Sequence, residues 1–278
     1  MAWNSEIWLA DYENAVREKD WQSKAKLLKA VFASTLVAIR EGNMLPASPS
    51  LMIKGPLKLP FSEEHKTKIH VVREDCLAAA RKLRNRYTHV AVLNMASPVH
   101  AGGGVKEGSG AQEEYLCRCS NYYPSLIELQ DQYPLDARYG GIFTGNVTVF
   151  RDTQAHGYRM LDTPFSIDII AVAAMDHPLL LPDGRYAPDA QVLTERKIRT
   201  IFDIALSHGE QALVLEAFGC GVFANPPYAM ARAFGNVLKE KPYHTAFEEI
   251  VFAILEDANS PAGGNFLPFE EILGRTFS

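Results

Sequence analysis

From Thr88 to Met95 the chain reads Thr-His-Val-Ala-Val-Leu-Asn-Met, with a charged stretch before it and Ser97-Pro98 after it. A short, continuous apolar run with β-branched residues predicts a buried strand. The same criterion places strands at residues 66–72, 142–151, 166–175, 211–217 and 248–255, with a turn at Thr144-Gly145-Asn146. Helical spacing is clearest over residues 21–41, where Leu27, Leu28, Val31, Phe32, Thr35, Leu36 and Ile39 recur on one face before Gly42 and Pro46. Further helices are predicted over 73–85, from Gln112 onward, over 189–208, from Pro227 to about residue 239, and over 265–273. Residues 44–63 carry four prolines and read as a wrapping segment, while 131–141 and 176–188 read as loops.

Strands alternating with helices argue for an α/β protein with a sheet between helical layers; the strand order does not follow from the sequence. The expected organisation is a helical accessory segment, 1–65, packed on a main domain, 66–278. A chain of 278 residues can build such a core. Its net charge is −5 and its pI about 5.9, which argues against general DNA binding through phosphates but leaves room for a local polyanion site. Cys76, Cys117, Cys119 and Cys220 show no secreted framework, and Cys117-x-Cys119 has no further ligands at metal-site spacing. The expectation is free thiols in a reducing cytoplasm, no metal and no cofactor. Charged residues throughout the first twenty positions argue against a signal peptide, and no apolar run approaches membrane-spanning length.

Two stretches carry chemistry. The first is Gly102-Gly103-Gly104, a spacer, then Gln112-Glu113-Glu114, lying between the strand at 88–95 and a helix start. Three glycines allow positive φ and close approach to a ligand, and open amides in such a loop can cradle an anion or a ribose. Adjacent helical residues point about 100° apart, so Glu113 and Glu114 are expected to divide the work, one reaching a reacting bond and the other orienting or binding. The second stretch is Phe218-Gly219-Cys220-Gly221-Val222-Phe223, followed by Pro226-Pro227 at a helix entry. Such an entry accepts phosphate through free amides and the helix dipole. No G-x-G-x-x-G is completed, which weakens a dinucleotide reading. Both loops follow strands and are expected at one end of the sheet.

The triple glycine, its spacer and the Gln-Glu-Glu, preceded by Asn94-Met95-Ala96-Ser97-Pro98, resemble the signature of bacterial-type poly(ADP-ribose) glycohydrolases. The resemblance runs from about Ala25 to the last helix. It implies a macrodomain-like fold with a mixed sheet and hydrolysis of ribose–ribose bonds, with poly(ADP-ribose), ADP-ribose and poly(ADP-ribosyl)ated proteins as partners of a monomer. It implies Glu114 as catalytic carboxyl, with Glu113 on the substrate hydroxyls. ADP-ribose would meet Asn94, Gly102, Gly103, Gly104, Gln112, Gly219, Gly221, Val222 and Phe223, the last four at the diphosphate. A non-enzymatic ADP-ribose-binding macrodomain, a hydrolase of mono-ADP-ribose on protein or nucleic acid, and another nucleotide-binding α/β enzyme stay open as alternatives.

Overall fold

The computed structural model describes residues 3–42, 46–59, 65–256 and 260–274. Its helices are α1 (Ser5–Arg17), α2 (Trp21–Glu41), α3 (Cys76–Arg84), α4 (Gln112–Cys119), α5 (Tyr122–Ile127), α6 (Pro188–Ser207), α7 (Pro227–Leu238) and α8 (Phe266–Phe269). Its strands are β1 (Leu51–Ile53), β2 (Lys68–Val72), β3 (Val90–Met95), β4 (Gly141–Arg151), β5 (Met160–Val172), β6 (Ala212–Leu215) and β7 (Glu249–Ala253). The strands form a mixed sheet in the order β1-β4-β5-β3-β6-β7-β2, and β5, β3, β6, β7 and β2 run parallel. The chain is the expected α/β protein. It divides into two compact units, one of residues 1–51, 96–134 and 144–167, the other of 52–95, 135–143 and 168–278.

The second unit has the three layers that a parallel sheet requires. Ala91 and Leu93 of β3, Leu213 and Leu215 of β6, and Ile250 and Phe252 of β7 share one core with α6 and α7. Their alternates Val90, Val92, Ala212, Val214, Val251 and Ala253 are equally buried, and by strand periodicity they lie on the face where α3 packs. Ala173 and Ala174 serve packing: Lys197 of α6 donates to the Ala173 carbonyl at 2.7 Å, and Ala174 lies against Gly219.

The first unit is organised by α2, which spans the predicted residues and is capped by Asp20, whose carboxylate accepts from Ser23 N at 3.0 Å. Leu28, Val31 and Phe32 are buried as the spacing required. The reading of the first twenty residues missed α1. Its apolar stripe of Trp8, Tyr12 and Ala15 is there, with Asn4 as a cap accepting from Ile7 N, but it is masked by charges on the outer face. Trp8 stacks on Tyr12 with centroids 4.8 Å apart and donates to the Leu27 carbonyl, which binds α1 to α2.

Three boundaries differ. The strand expected at 166–175 begins six residues earlier, at Met160, where its first residues are mostly exposed and carry no apolar run to mark them. The expected turn at Thr144-Gly145-Asn146 is continuous strand; Asn146 alone takes φ 55° within it. The wrapping segment includes β1, and its residues 44–45 and 60–63 lie outside the described part. Among the described residues no helix is long and apolar enough to cross a membrane.

Glu210, just before β6, is 4 % exposed and its carboxyl lies against that of Asp168. Burial first, then the neighbouring charge of Asp168, pushes its carboxyl up to about 10 from an ordinary 4.5. The folded state therefore keeps a proton that the unfolded chain loses, so stability falls as pH rises from the ordinary value towards the folded one. Glu210→Gln removes that loss. Thermal melts at about pH 8 should show a gain of roughly 1–3 kcal/mol, the usual desolvation scale of a buried polar group, and near pH 4 almost none.

Candidate active site

In the first unit, β3's outgoing chain turns through Ser97-Pro98 into the glycine loop and then into α4. Gly102 and Gly103 take φ of +79° and +55°, conformations that glycine adopts without strain. A Cβ on Gly102 would lie 2.7 Å from the Tyr123 ring, and one on Gly103 would collide with Glu114 Oε1. The first turn of α4 has no side-chain cap at Ala111. Its two carboxylates instead turn back onto the loop. Glu113 Oε2 accepts from Ser97 N at 2.7 Å and its Oε1 from Gly102 N at 3.3 Å, while Glu114 Oε1 accepts from Gly104 N at 2.8 Å. Gly103 N donates to the His100 carbonyl and Val105 N to that of Gly102.

This corrects the expectation that the loop's amides stand open to a ligand. All three glycine amides are used inside the protein. What the glycines supply is the space in which two acidic side chains can lie against the backbone. The roughly 100° between Glu113 and Glu114 does divide them, though both reach the same loop.

Glu113 and Glu114 are 3 % and 6 % exposed. Glu114 Oε2 is buried and finds no hydrogen-bond partner, whereas both oxygens of Glu113 accept loop amides. A buried carboxylate oxygen left unpartnered is costly, and its place is explained by a group that pairs with it during function. Neighbouring acids do not compete for protons. Burial, then the charges of Glu113 and Glu114, holds the Cys117 thiol well above its ordinary range; burial, then Glu113, raises the Tyr133 hydroxyl. Cys117 is therefore no thiolate nucleophile. Gln112, half-buried, opens the helix. Among the described residues no cluster of His, Cys, Asp or Glu is placed to hold a metal ion.

In the second unit, the loop after β6 is cinched by Asn225. Its Nδ2 donates to the carbonyls of Met175 at 2.7 Å, Gly219 at 3.1 Å and Phe223 at 3.4 Å, and its Oδ1 accepts from Tyr186 OH at 2.9 Å. His177 N adds a bond to the Phe223 carbonyl. Gly219, at φ +70°, has no room for a Cβ, which would sit 2.5 Å from Ala174 Cβ. Among the described residues nothing accepts from the amides of Gly221, Val222 or Phe223, so here the open donors exist. Val222 is 66 % exposed, while Phe223 is half-buried with its ring against the core. Pro227 opens α7 without a side-chain cap. Asn94 is fully buried on β3, opposite Ala171 of β5. β3 and β6 are parallel neighbours, so Asn94 and the Gly219 loop belong to the carboxyl ends of adjacent strands.

The sequence matches the family of the microbial-type PARG catalytic domain over residues 23–152. Among curated proteins none matches. The fold is similar to the crystal structure of poly(ADP-ribose) glycohydrolase from Thermomonospora curvata, with 27% identity and a TM-score of 0.73 over 88% of this chain and 99% of that one. It is also similar to the Deinococcus radiodurans enzyme in complex with ADP-ribose, with 31% identity and a TM-score of 0.65 over 76% of this chain and 86% of that one. The chain belongs to the microbial-type poly(ADP-ribose) glycohydrolase family.

As a poly(ADP-ribose) glycohydrolase family member the chain keeps the glycine loop and paired glutamates, and the structure adds residues that motif reading passed over. Asn225, between Phe223 and Pro226, is one that the glycine spacing does not mark. An Asn just before Pro-Pro, where an amide can satisfy three carbonyls of a tight loop, was the available signal. We expect Asn225→Ala to remove the side-chain bonds to Met175, Gly219 and Phe223 and the one from Tyr186, costing about 1–3 kcal/mol and weakening ADP-ribose binding by more than the stability change, as calorimetry beside a thermal melt would record.

Proposed function

We propose that this chain hydrolyses the ribose–ribose O-glycosidic bonds of poly(ADP-ribose) and releases ADP-ribose. The observation that carries the reading is the carboxyl of Glu114, with one oxygen fixed by Gly104 N and the other buried and unpartnered. Family membership and the ADP-ribose complex of the Deinococcus enzyme support the substrate. In the reaction Glu114, as the acid, gives its proton to the departing ribose oxygen. The anomeric carbon–oxygen bond breaks and leaves an oxocarbenium-like centre. The carboxylate of Glu114 then takes a proton from water as the water oxygen bonds to that carbon. Most glycosidases divide these tasks between two carboxyls. Here the second, Glu113, holds Ser97 and Gly102 and orients the substrate hydroxyls.

In this proposal Gly102, Gly103 and Gly104 allow close approach rather than donating amides, and Gln112 and Asn94 contact the ribose. Gly219, Gly221, Val222 and Phe223 line the diphosphate. The open amides of Gly221, Val222 and Phe223 support that role. The reading brings poly(ADP-ribosyl)ated proteins as partners, a cytoplasmic location and a monomeric working state. An ADP-ribose-binding module would have no use for an unpartnered buried carboxyl, which favours the hydrolase. Product analysis on polymer beside mono-ADP-ribosylated protein tests the substrate: free ADP-ribose from polymer is expected, and release from the mono-modified protein alone would overturn the assignment.

Glu114→Gln keeps the shape and cannot cycle a proton. General acid–base action typically contributes about 10²–10⁴-fold, so turnover should fall by at least that order while ADP-ribose affinity stays within a few-fold. Glu113→Gln should behave differently, losing about 1–3 kcal/mol of stability through its weakened clasp on two loop amides and proportionately more in binding than in turnover. Wild-type turnover in Glu114→Gln would refute the mechanism.

A further inference from the structure

Arg118 lies one helical turn beyond Glu114 on α4, so their side chains share a face. It is fully buried, with 0 % exposure. Its two bonds go to neutral acceptors: Nη1 donates to the Ser109 carbonyl at 2.7 Å and Nε to the Tyr158 hydroxyl at 3.2 Å. Nη2 is buried without a partner. A buried guanidinium without a bound carboxylate is an expensive arrangement, and packing alone would be better served by an apolar side chain.

The surroundings hold it in place. Thr35 of α2 donates to the Arg118 carbonyl at 2.6 Å and accepts from Arg151 Nε at 2.9 Å. Arg151 Nη1 in turn donates to the Tyr158 carbonyl at 2.8 Å. Tyr158 donates to Gln154 at 3.1 Å and takes the Trp8 ring of α1 edge-on at 5.0 Å. Gly108 packs so closely on the Ala25 backbone that no Cβ fits between them. The N-terminal helices thus brace the helix that carries the two glutamates.

We propose that Arg118 is a positioning residue for the hydrolysis: its guanidinium fixes the Ser109 carbonyl, Ser109 N donates to the Gly104 carbonyl at 3.0 Å, and Gly104 N holds Glu114 Oε1. This rests on the assignment of Glu114 as acid and base. The other ionisable groups around Arg118 are Glu113, Cys117 and Cys119 on α4, Tyr158 and Arg151 beside it, and Tyr133 toward Glu113. Burial works against the charge of Arg118; Tyr158, then Cys119 and Glu114, more than restore it.

The test measures kcat and KM of polymer hydrolysis for Arg118→Met, Arg118→Lys and Tyr158→Phe, with Glu114→Gln as reference and ADP-ribose affinity followed by calorimetry. Arg118→Met should lose roughly tenfold or more in kcat, with KM and affinity within a few-fold. Arg118→Lys keeps a donor for the Ser109 carbonyl and should restore part of kcat. Tyr158→Phe keeps the guanidinium and loosens it, so kcat should fall several-fold. If Glu114→Gln is inactive and a folded Arg118→Met gives the wild-type kcat, the inference fails while the mechanism stands; active Glu114→Gln defeats the mechanism itself. Should Arg118→Met not fold, Tyr158→Phe decides, and unchanged kcat there overturns the proposal.

Discussion

Two carboxylates on one helical turn, accepting amides from a loop of glycines, hold the region around α4 in shape. Charged acceptors of backbone N–H bonds are among the stronger hydrogen bonds in proteins. They replace the missing side-chain cap at Ala111 and draw Ser97, Gly102 and Gly104 onto one turn of helix. The glycines are required because the acidic side chains occupy the volume a Cβ would need. The arrangement also explains why the two adjacent glutamates are not equivalent. One satisfies amides with both oxygens; the other satisfies an amide with one and leaves the second unpaired.

The two units hold their loops by different means. The glycine loop is organised from outside, by side chains of the following helix. The loop after β6 is organised from inside, by the side-chain amide of Asn225 donating to three carbonyls. One loop therefore has its amides closed, and the other leaves those of Gly221, Val222 and Phe223 open. The physical split is between a loop that presents acid–base chemistry and a loop that can bind an anion.

Much of this was legible in the chain. Helix α2 carries its pattern over the whole predicted span, because a long stripe with an Asp cap and a terminal Gly leaves little ambiguity. The parallel strands were readable because burial on both faces makes them continuous apolar runs. Helix α1 was hidden because its buried stripe is narrow among charges. The motif spacing pointed to Glu113 and Glu114, but spacing says nothing about which amides a carboxylate will accept, so the closed glycine loop required coordinates. Arg118 was illegible for a similar reason: in sequence it is a cation near the end of a helix, where solvent exposure is the usual outcome, and its burial depends on Thr35 and Tyr158, which lie 83 and 40 residues away.

All four cysteines are reduced and buried, and burial raises the thiols of Cys117 and Cys220 above their ordinary range. The thiolate is the form that oxidants and alkylating agents attack, so these sulfurs are shielded twice, by access and by protonation. The carboxyl that does the proposed chemistry is not oxidisable at all. Peroxide in the surroundings therefore meets no exposed cysteine thiol among the described residues.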